Sequence, residues 1–344
     1  MQRRSAATGP LRHITCARLA GAGALGGALL LGLAHVGSGG VFSGASSAAD
    51  VGPPVPNGAA WVDTIHPGEL EGDPDSDDPV TRGAYLARAG NCIACHTVED
   101  PEEEDYLAGG YAIESPFGTF YGTNITPHPD EGIGEWDVDD LAGALREGHG
   151  PDGTRYYPVF PFTAFTGMTD EDVADLHAFL QAAPARDREN EPHDVPWYMG
   201  RATLGAWTSL HLDATRFQED PQQSESWNRG AYLTEAVAHC VECHTPRTLT
   251  GGLDEDLRFA GTEEGGDGDE TMPNITPDAE TGIGDWSERE LVRYLEIGMD
   301  PDGDFAGGSM SRVISEGTGH LTEADLEAMA EYILSLEPIE HEVN

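Results

Sequence analysis

The sequence predicts a mainly α chain of two tandem helical units with long loops, and three observations carry that prediction. The pentapeptide Cys92-Ile93-Ala94-Cys95-His96 has a second copy, Cys240-Val241-Glu242-Cys243-His244, 148 residues on. The surroundings repeat too. Arg82-Gly83-Ala84-Tyr85-Leu86 matches Arg229-Gly230-Ala231-Tyr232-Leu233, and from Asn124 and Asn274 the copies run in register without a gap to Gly153 and Gly303. Such self-similarity marks a duplicated unit. Finally, apolar residues in both copies recur at the three-and-four spacing of an amphipathic helix.

Taken in order, the first 49 residues contain no Asp or Glu, carry Arg3, Arg4, Arg12 and Arg18, and then run apolar from Leu19 to Val36 with only His35 as a polar interruption. A basic segment followed by an apolar one predicts an export signal, with the small residues Ala45 to Ala48 as a cleavage region, or an uncleaved membrane anchor. Gly21 to Gly26 fits G-x-G-x-x-G, but no strand precedes it, so it reads as signal composition. Cys16 falls in this segment, outside the mature fold. Residues 50–79 are rich in Pro, Gly and Asp and read as a flexible acidic lead-in. The aspartate runs Asp73, Asp75, Asp77, Asp78 and Asp300, Asp302, Asp304 lack the twelfth-position Glu of a calcium loop and read as solvated acidic loops.

Each repeat is expected to open with a short helix that delivers the C-x-x-C-H motif at its end. Two thiols three residues apart and an imidazole beside the second are what covalent attachment of a c-type haem requires, with His96 and His244 on the irons. A lone motif would leave a redox C-x-x-C or half of a zinc site as alternatives. Two complete copies, each with its His, favour two covalently bound haems over these and over disulfides. A middle helix then starts in capping boxes at Asp137/Asp140 and Ser287/Glu290, carries Leu141, Leu145 and Leu291, Leu295 on one face, and ends at Gly148 and Gly298. A last helix starts at Thr169 and Thr322. Its inward positions are Val173, Leu176, Leu180 in one copy and Leu326, Met329, Ile333 in the other.

The chain has 62 acidic against 18 basic residues, all 18 of them Arg, for a formal net charge of -44. Phosphate recognition needs clustered cations, so nucleic acid is excluded as a partner. Self-repulsion of this size suits concentrated salt, where the Debye length falls to about 3 Å at 1 M. In this the composition resembles that of halophilic secreted proteins.

A helix ending in C-x-x-C-H, a loop-rich middle with a Trp and a terminal helix resemble the cytochrome c fold, present twice. Together with Tyr157-Pro158-Val159-Phe160-Pro161-Phe162 and Cys243-His244-Thr245-Pro246-Arg247, they are similar to the dihaem cytochrome c subunits of periplasmic alcohol, aldehyde and gluconate-type dehydrogenases. The expected division is a signal or anchor over 1–49, the lead-in over 50–79, cytochrome c domains over 80–182 and 229–340, and a linker over 183–228. In this fold a Met usually supplies the sixth iron ligand from the loop before the last helix. In the second repeat that is Met310, seven residues after Gly303, with Met299 as competitor. In the first repeat the equivalent position holds Phe160, which cannot ligate iron. The resemblance then points to Met168, with His149 second and an open iron third.

The linker aromatics Trp197, Tyr198 and Trp207 read as packing residues or as a dock for a dehydrogenase or membrane partner. Trp136 and Trp286 read as core, and His66, His128, His177, His193, His211, His239 and His320 as surface or core residues. No general base, nucleophile or substrate pocket is called for. The expected function is electron transfer by an exported carrier, in the periplasm or on the outer face of the cytoplasmic membrane. The donor would be an exported dehydrogenase subunit and the acceptor another cytochrome or a terminal oxidase. The alternative is a dihaem enzyme, peroxidase-like or thiosulfate-oxidising, with its chemistry at the first haem.

Overall fold

The structure, a computed structural model, describes residues 72–99, 101–102, 105–265 and 270–343. The predicted export signal or anchor, Cys16, His66 and most of the lead-in lie outside the described residues. The first repeat runs through α1 (Pro79–Ala89), α2 (Cys92–His96), the hairpin β1 (Ala112–Ser115) and β2 (Gly118–Tyr121), α3 (Val138–Glu147), α4 (Phe162–Phe165) and α5 (Asp170–Ala182). A connecting segment holds α6 (Leu204–His211). The second repeat follows with α7 (Glu225–Tyr232), α8 (Cys240–His244), the hairpin β3 (Thr262–Gly265) and β4 (Glu270–Met272), α9 (Glu288–Ile297), α10 (Gly308–Glu316) and α11 (Glu323–Leu334). Both hairpins are antiparallel, with Ala112 opposite Tyr121 and Thr262 opposite Met272.

Local chemistry fixes most helix ends where the sequence put them. Asp137 and Ser287 make reciprocal capping boxes with Asp140 and Glu290, and Gly148 and Gly298 close α3 and α9 in the left-handed region at φ 66 and 76°. Thr169 and Thr322 accept the N–H groups of Asp172 and Asp325 at the starts of α5 and α11. Two expectations need correction. The C-x-x-C-H motifs do not end the first helix of each repeat. α1 stops at Ala89, Asn91 turns left-handed at φ 54°, and α2 begins afresh; in the second repeat a π-helical turn, Leu233–Val237, follows α7, and His239 makes the same break at φ 45°. Asp78, grouped above with solvated loop aspartates, is the N-cap of α1 and accepts from the N–H of Val80 and Thr81.

In each repeat the first helix crosses the last at very close range. A Cβ on Gly83 would stand 2.0 Å from the Asp175 carbonyl oxygen, and one on Gly230 would stand 1.8 Å from that of Ala328. Only glycine lets the backbones meet there. The neighbouring arginine seals each crossing with a two-pronged ion pair. Arg82 reaches Asp175 at 2.7 and 2.7 Å; Arg229 reaches Asp325 at 2.9 and 2.7 Å.

The repeats also exchange partners. Tyr85 on α1 donates its hydroxyl to Asp325 at 2.6 Å and accepts from the Thr322 N–H at 3.2 Å. Its counterpart Tyr232 donates to Asp172 and accepts from the Thr169 N–H at 3.1 Å. Each first-helix tyrosine therefore caps the last helix of the other repeat, the reciprocal pattern of a two-fold interface within one chain. One apolar core runs through this junction, including Tyr85, Leu86 and Ala89 of the first repeat and Tyr232, Leu233 and Val237 of the second. Met168 and Met329 are buried in it too.

Two outcomes are expected. Gly230→Ala should lower stability by about 1–3 kcal/mol in chemical denaturation, because the helices must separate to admit the methyl group. Burial, with Asp325 and Asp172 beside them, raises the pKa of Tyr85 and Tyr232 above the ordinary phenol value. The unfolded chain therefore releases these protons first, and stability should fall as pH rises above about 10. In the Tyr85→Phe Tyr232→Phe double variant, that alkaline loss should shrink in a pH series of melts.

Candidate haem-binding sites

The left-handed breaks at Asn91 and His239 set up the two sites. Each starts a five-residue helix whose two cysteines, three positions apart, share a face. Burial pushes the Cys92 and Cys240 thiols up to about 12 and that of Cys243 up to about 11, so they are protonated at neutral pH. All four sulfurs are free of disulfides. Among the described residues no three His, Cys, Asp or Glu side chains converge on a cation site.

The imidazoles carry the decisive geometry. His96 donates from Nδ1 to the Thr123 carbonyl at 2.6 Å, and His244 from Nδ1 to the Pro273 carbonyl at 2.8 Å. A proton fixed on Nδ1 leaves Nε2 with its lone pair, the atom an iron would take. Burial lowers the pKa of both rings, which keeps them neutral and able to ligate.

The accepting carbonyls are themselves held by the repeated Asn-Ile-Thr-Pro segments, whose role was not legible in the motif. The side-chain oxygen of Asn124 accepts from the N–H of Thr126 at 3.0 Å and from its hydroxyl at 2.7 Å; Asn274 does the same with Thr276 at 2.9 and 2.8 Å. The amide end of each Asn clasps the chain returning after the last helix. Asn124 Nδ2 donates to the Arg186 carbonyl at 2.8 Å, and Asn274 Nδ2 to that of Ile339 at 2.7 Å. Residues 186–195, the first part of the connecting segment, are thereby bound to the first repeat, with Asp194 and Thr119 exchanging both backbone hydrogen bonds at 2.9 Å.

The sixth-ligand candidates fall in different settings. Met168 is almost fully buried, at 1 % exposure, in the loop between α4 and α5. Its carbonyl accepts from Arg146 at 2.8 Å. Met310 packs partly buried against the core from the first turn of α10, where the sequence suggested a loop. His149 is committed elsewhere: Nδ1 lies 3.2 Å from the Gly150 carbonyl and Nε2 3.1 Å from the Glu147 carboxylate. Met299 pairs across an isolated β-bridge with Phe305. Phe160 stacks on Tyr156 and Phe165. Trp136 and Trp286 pack against the core. Trp197 and Tyr198 are exposed, at 91 and 65 %, while Trp207 packs on Phe162 and His211.

Sequence reading missed two side chains at these sites, whose contacts between the repeats join residues far apart in the chain. Arg312 on α10 donates to the carbonyls of Ala94, within the first motif, and Thr97, just after it, at 2.7 and 2.6 Å. Glu242, within the second motif, pairs with Arg247 at 2.6 Å and accepts from the Thr163 hydroxyl of the first repeat.

The family described as Cytochrome c matches residues 80–184 and 228–337. A "Diheme cytochrome c-type" protein of Cereibacter sphaeroides is 41% identical over 263 residues, covering 76% of this chain and 86% of that protein. The "Fructose dehydrogenase cytochrome subunit" of Gluconobacter japonicus is 37% identical over 261 residues, 75% of this chain and 52% of its own length. The "Gluconate 2-dehydrogenase cytochrome c subunit" of Pantoea cypripedii is 36% identical over 287 residues, 81% of this chain and 64% of its own. The chain spans about half to two thirds of these two dehydrogenase subunits. Two C-x-x-C-H turns, each with a histidine oriented by a backbone carbonyl, fit two covalently bound haem c groups, and the chain belongs to the cytochrome c family as a dihaem member.

Proposed function

We propose that the protein is an exported electron carrier that takes single electrons from the catalytic subunit of a dehydrogenase and passes them to another cytochrome or a terminal oxidase. The observation that carries this reading is the pair of imidazoles whose Nδ1 atoms are fixed on the Thr123 and Pro273 carbonyls, each beside two thiols able to anchor a porphyrin. The haems supply the one-electron chemistry. Cys92, Cys95, Cys240 and Cys243 would hold them, and His96 and His244, each fixed through Nδ1, would offer Nε2 to the irons. The relatives' names, cytochrome subunits of fructose and gluconate dehydrogenases, support a dehydrogenase as donor.

In this reading residues 80–182 and 229–340 are the two haem domains, 183–228 joins them, and 1–49 is the signal or anchor that places the protein in the periplasm or on the outer membrane face. Among the described residues no helix is long and apolar enough to cross a membrane. Met310 is the sixth ligand of the second haem. Met168 is that of the first: it is buried and stands directly before the last helix, whereas both ring nitrogens of His149 are engaged. A His/Met ligand pair suits a carrier of relatively high potential.

Optical and electron paramagnetic resonance spectra test the assignment. The wild-type protein should hold two low-spin haems, and Met168→Ala and Met310→Ala should each turn one of them high-spin. A first haem that is already high-spin in the wild type and turns over peroxide would establish the enzyme alternative instead.

A further inference from the structure

The two attachment turns treat one backbone carbonyl in the same way but recruit the donor differently. The residue before the second cysteine is Ala94 in the first motif and Glu242 in the second. In the second repeat, Arg247 takes the Glu242 carbonyl at 2.9 Å, and the same guanidinium pairs with the Glu242 carboxylate at 2.6 Å. The position equivalent to Arg247 in the first repeat is Glu99, an exposed acid with no N–H fork to offer. The missing donor comes from the other repeat. Arg312 sends Nε to the Ala94 carbonyl at 2.7 Å and Nη2 to the Thr97 carbonyl at 2.6 Å, and its guanidinium lies 4.3 Å from the centre of the Tyr111 ring.

The two cations differ in what balances them. The charge of Arg247 is cancelled by Glu242. Among the described residues no carboxylate lies at ion-pair distance from Arg312. In a chain of net charge -44, a half-buried cation on the Ala94 and Thr97 carbonyls with no carboxylate partner among the described residues is a specific placement. It also sits two residues beyond Met310 on α10, so one helix serves both centres.

We propose that Arg312 is a positioning residue working across the repeats: it fixes the first attachment turn and holds a positive charge beside it, which makes the first haem easier to reduce. A reduced haem carries one positive charge fewer than an oxidised one, so a nearby cation favours the added electron. The second attachment turn, with its neutral Arg247–Glu242 pair, lacks this bias. The proposal rests on the carrier reading above and deepens it, because it gives the two haems unequal affinity for the same electron.

The experiment is a spectroelectrochemical titration of the holoprotein, with the second haem's wave identified from its spectrum in Met310→Ala. In Arg312→Ala the reduction equilibrium of the first haem should fall about tenfold, a shift of ~59 mV for a one-electron couple, while that of the second stays at its wild-type value. Arg312→Lys, which keeps the charge without the fork, should restore at least half of the shift. Arg312→Gln, which keeps the stem over Tyr111 and loses the charge, should behave like the alanine variant and guards against a folding defect in it. Arg247→Gln, leaving the Glu242 carboxylate unbalanced, should lower the second haem alone. Unchanged potentials in both Arg312→Ala and Arg312→Gln, equal shifts of both haems, or no recovery with Lys would overturn the proposal. A high-spin, peroxide-active first haem in the wild type would overturn the carrier reading, whatever the arginine variants do.

Discussion

Everything in this molecule leans on the two helix crossings where Gly83 meets the Asp175 carbonyl and Gly230 meets that of Ala328. The missing side chains bring the first and last helix of each repeat close enough for Arg82 and Arg229 to grip the opposite helix with both arms. The same approach lines up Tyr85 and Tyr232 with the N-terminal turns of the other repeat's last helix. From those crossings the chain turns left-handed once and enters each C-x-x-C-H helix, so the direction of the motif is set by the packing behind it.

The sites themselves are built largely from backbone. His96 and His244 are oriented by carbonyls, the carbonyls by Asn124 and Asn274, and those asparagines by the chain returning after the last helix. Side-chain amides act here as buckles between loops that carry no regular hydrogen-bonding ladder. This explains why a loop-rich middle section can hold a ligand's ring in one orientation: buried donors and acceptors are paired, and exchanging one pairing for another would leave polar groups unsatisfied.

Much of this was legible in the sequence because it is local or periodic. The Asp137/Asp140 and Ser287/Glu290 boxes, the Gly148 and Gly298 ends and the Thr169 and Thr322 starts all lie within one turn of the residues they cap. The doubled C-x-x-C-H motif and its gapless surroundings pointed to the two cytochrome c regions that the family match covers. What escaped was non-local. Gly307-Gly308-Ser309 reads as a loop, yet α10 begins there because Glu270, on a strand 39 residues earlier, accepts from the Ser309 N–H. The Tyr85–Asp325 bond joins residues 240 positions apart, and no periodicity announces it. Asp78 was hidden for a different reason: among so many aspartates, one that caps a helix has no compositional signature.

The exchanged tyrosines also bear on whether the two repeats can stand apart. Each repeat holds a helix crossing, a C-x-x-C-H turn and a last helix. Once Tyr85 and Tyr232 cap each other's repeat and Arg312 serves the opposite attachment turn, neither half keeps all its own partners. Separated, each half would expose an apolar face and leave a carboxylate, Asp172 or the buried Asp325, without its hydroxyl donor. The exchange thus works as a ratchet: the two repeats can differ residue by residue, but they are not free to part.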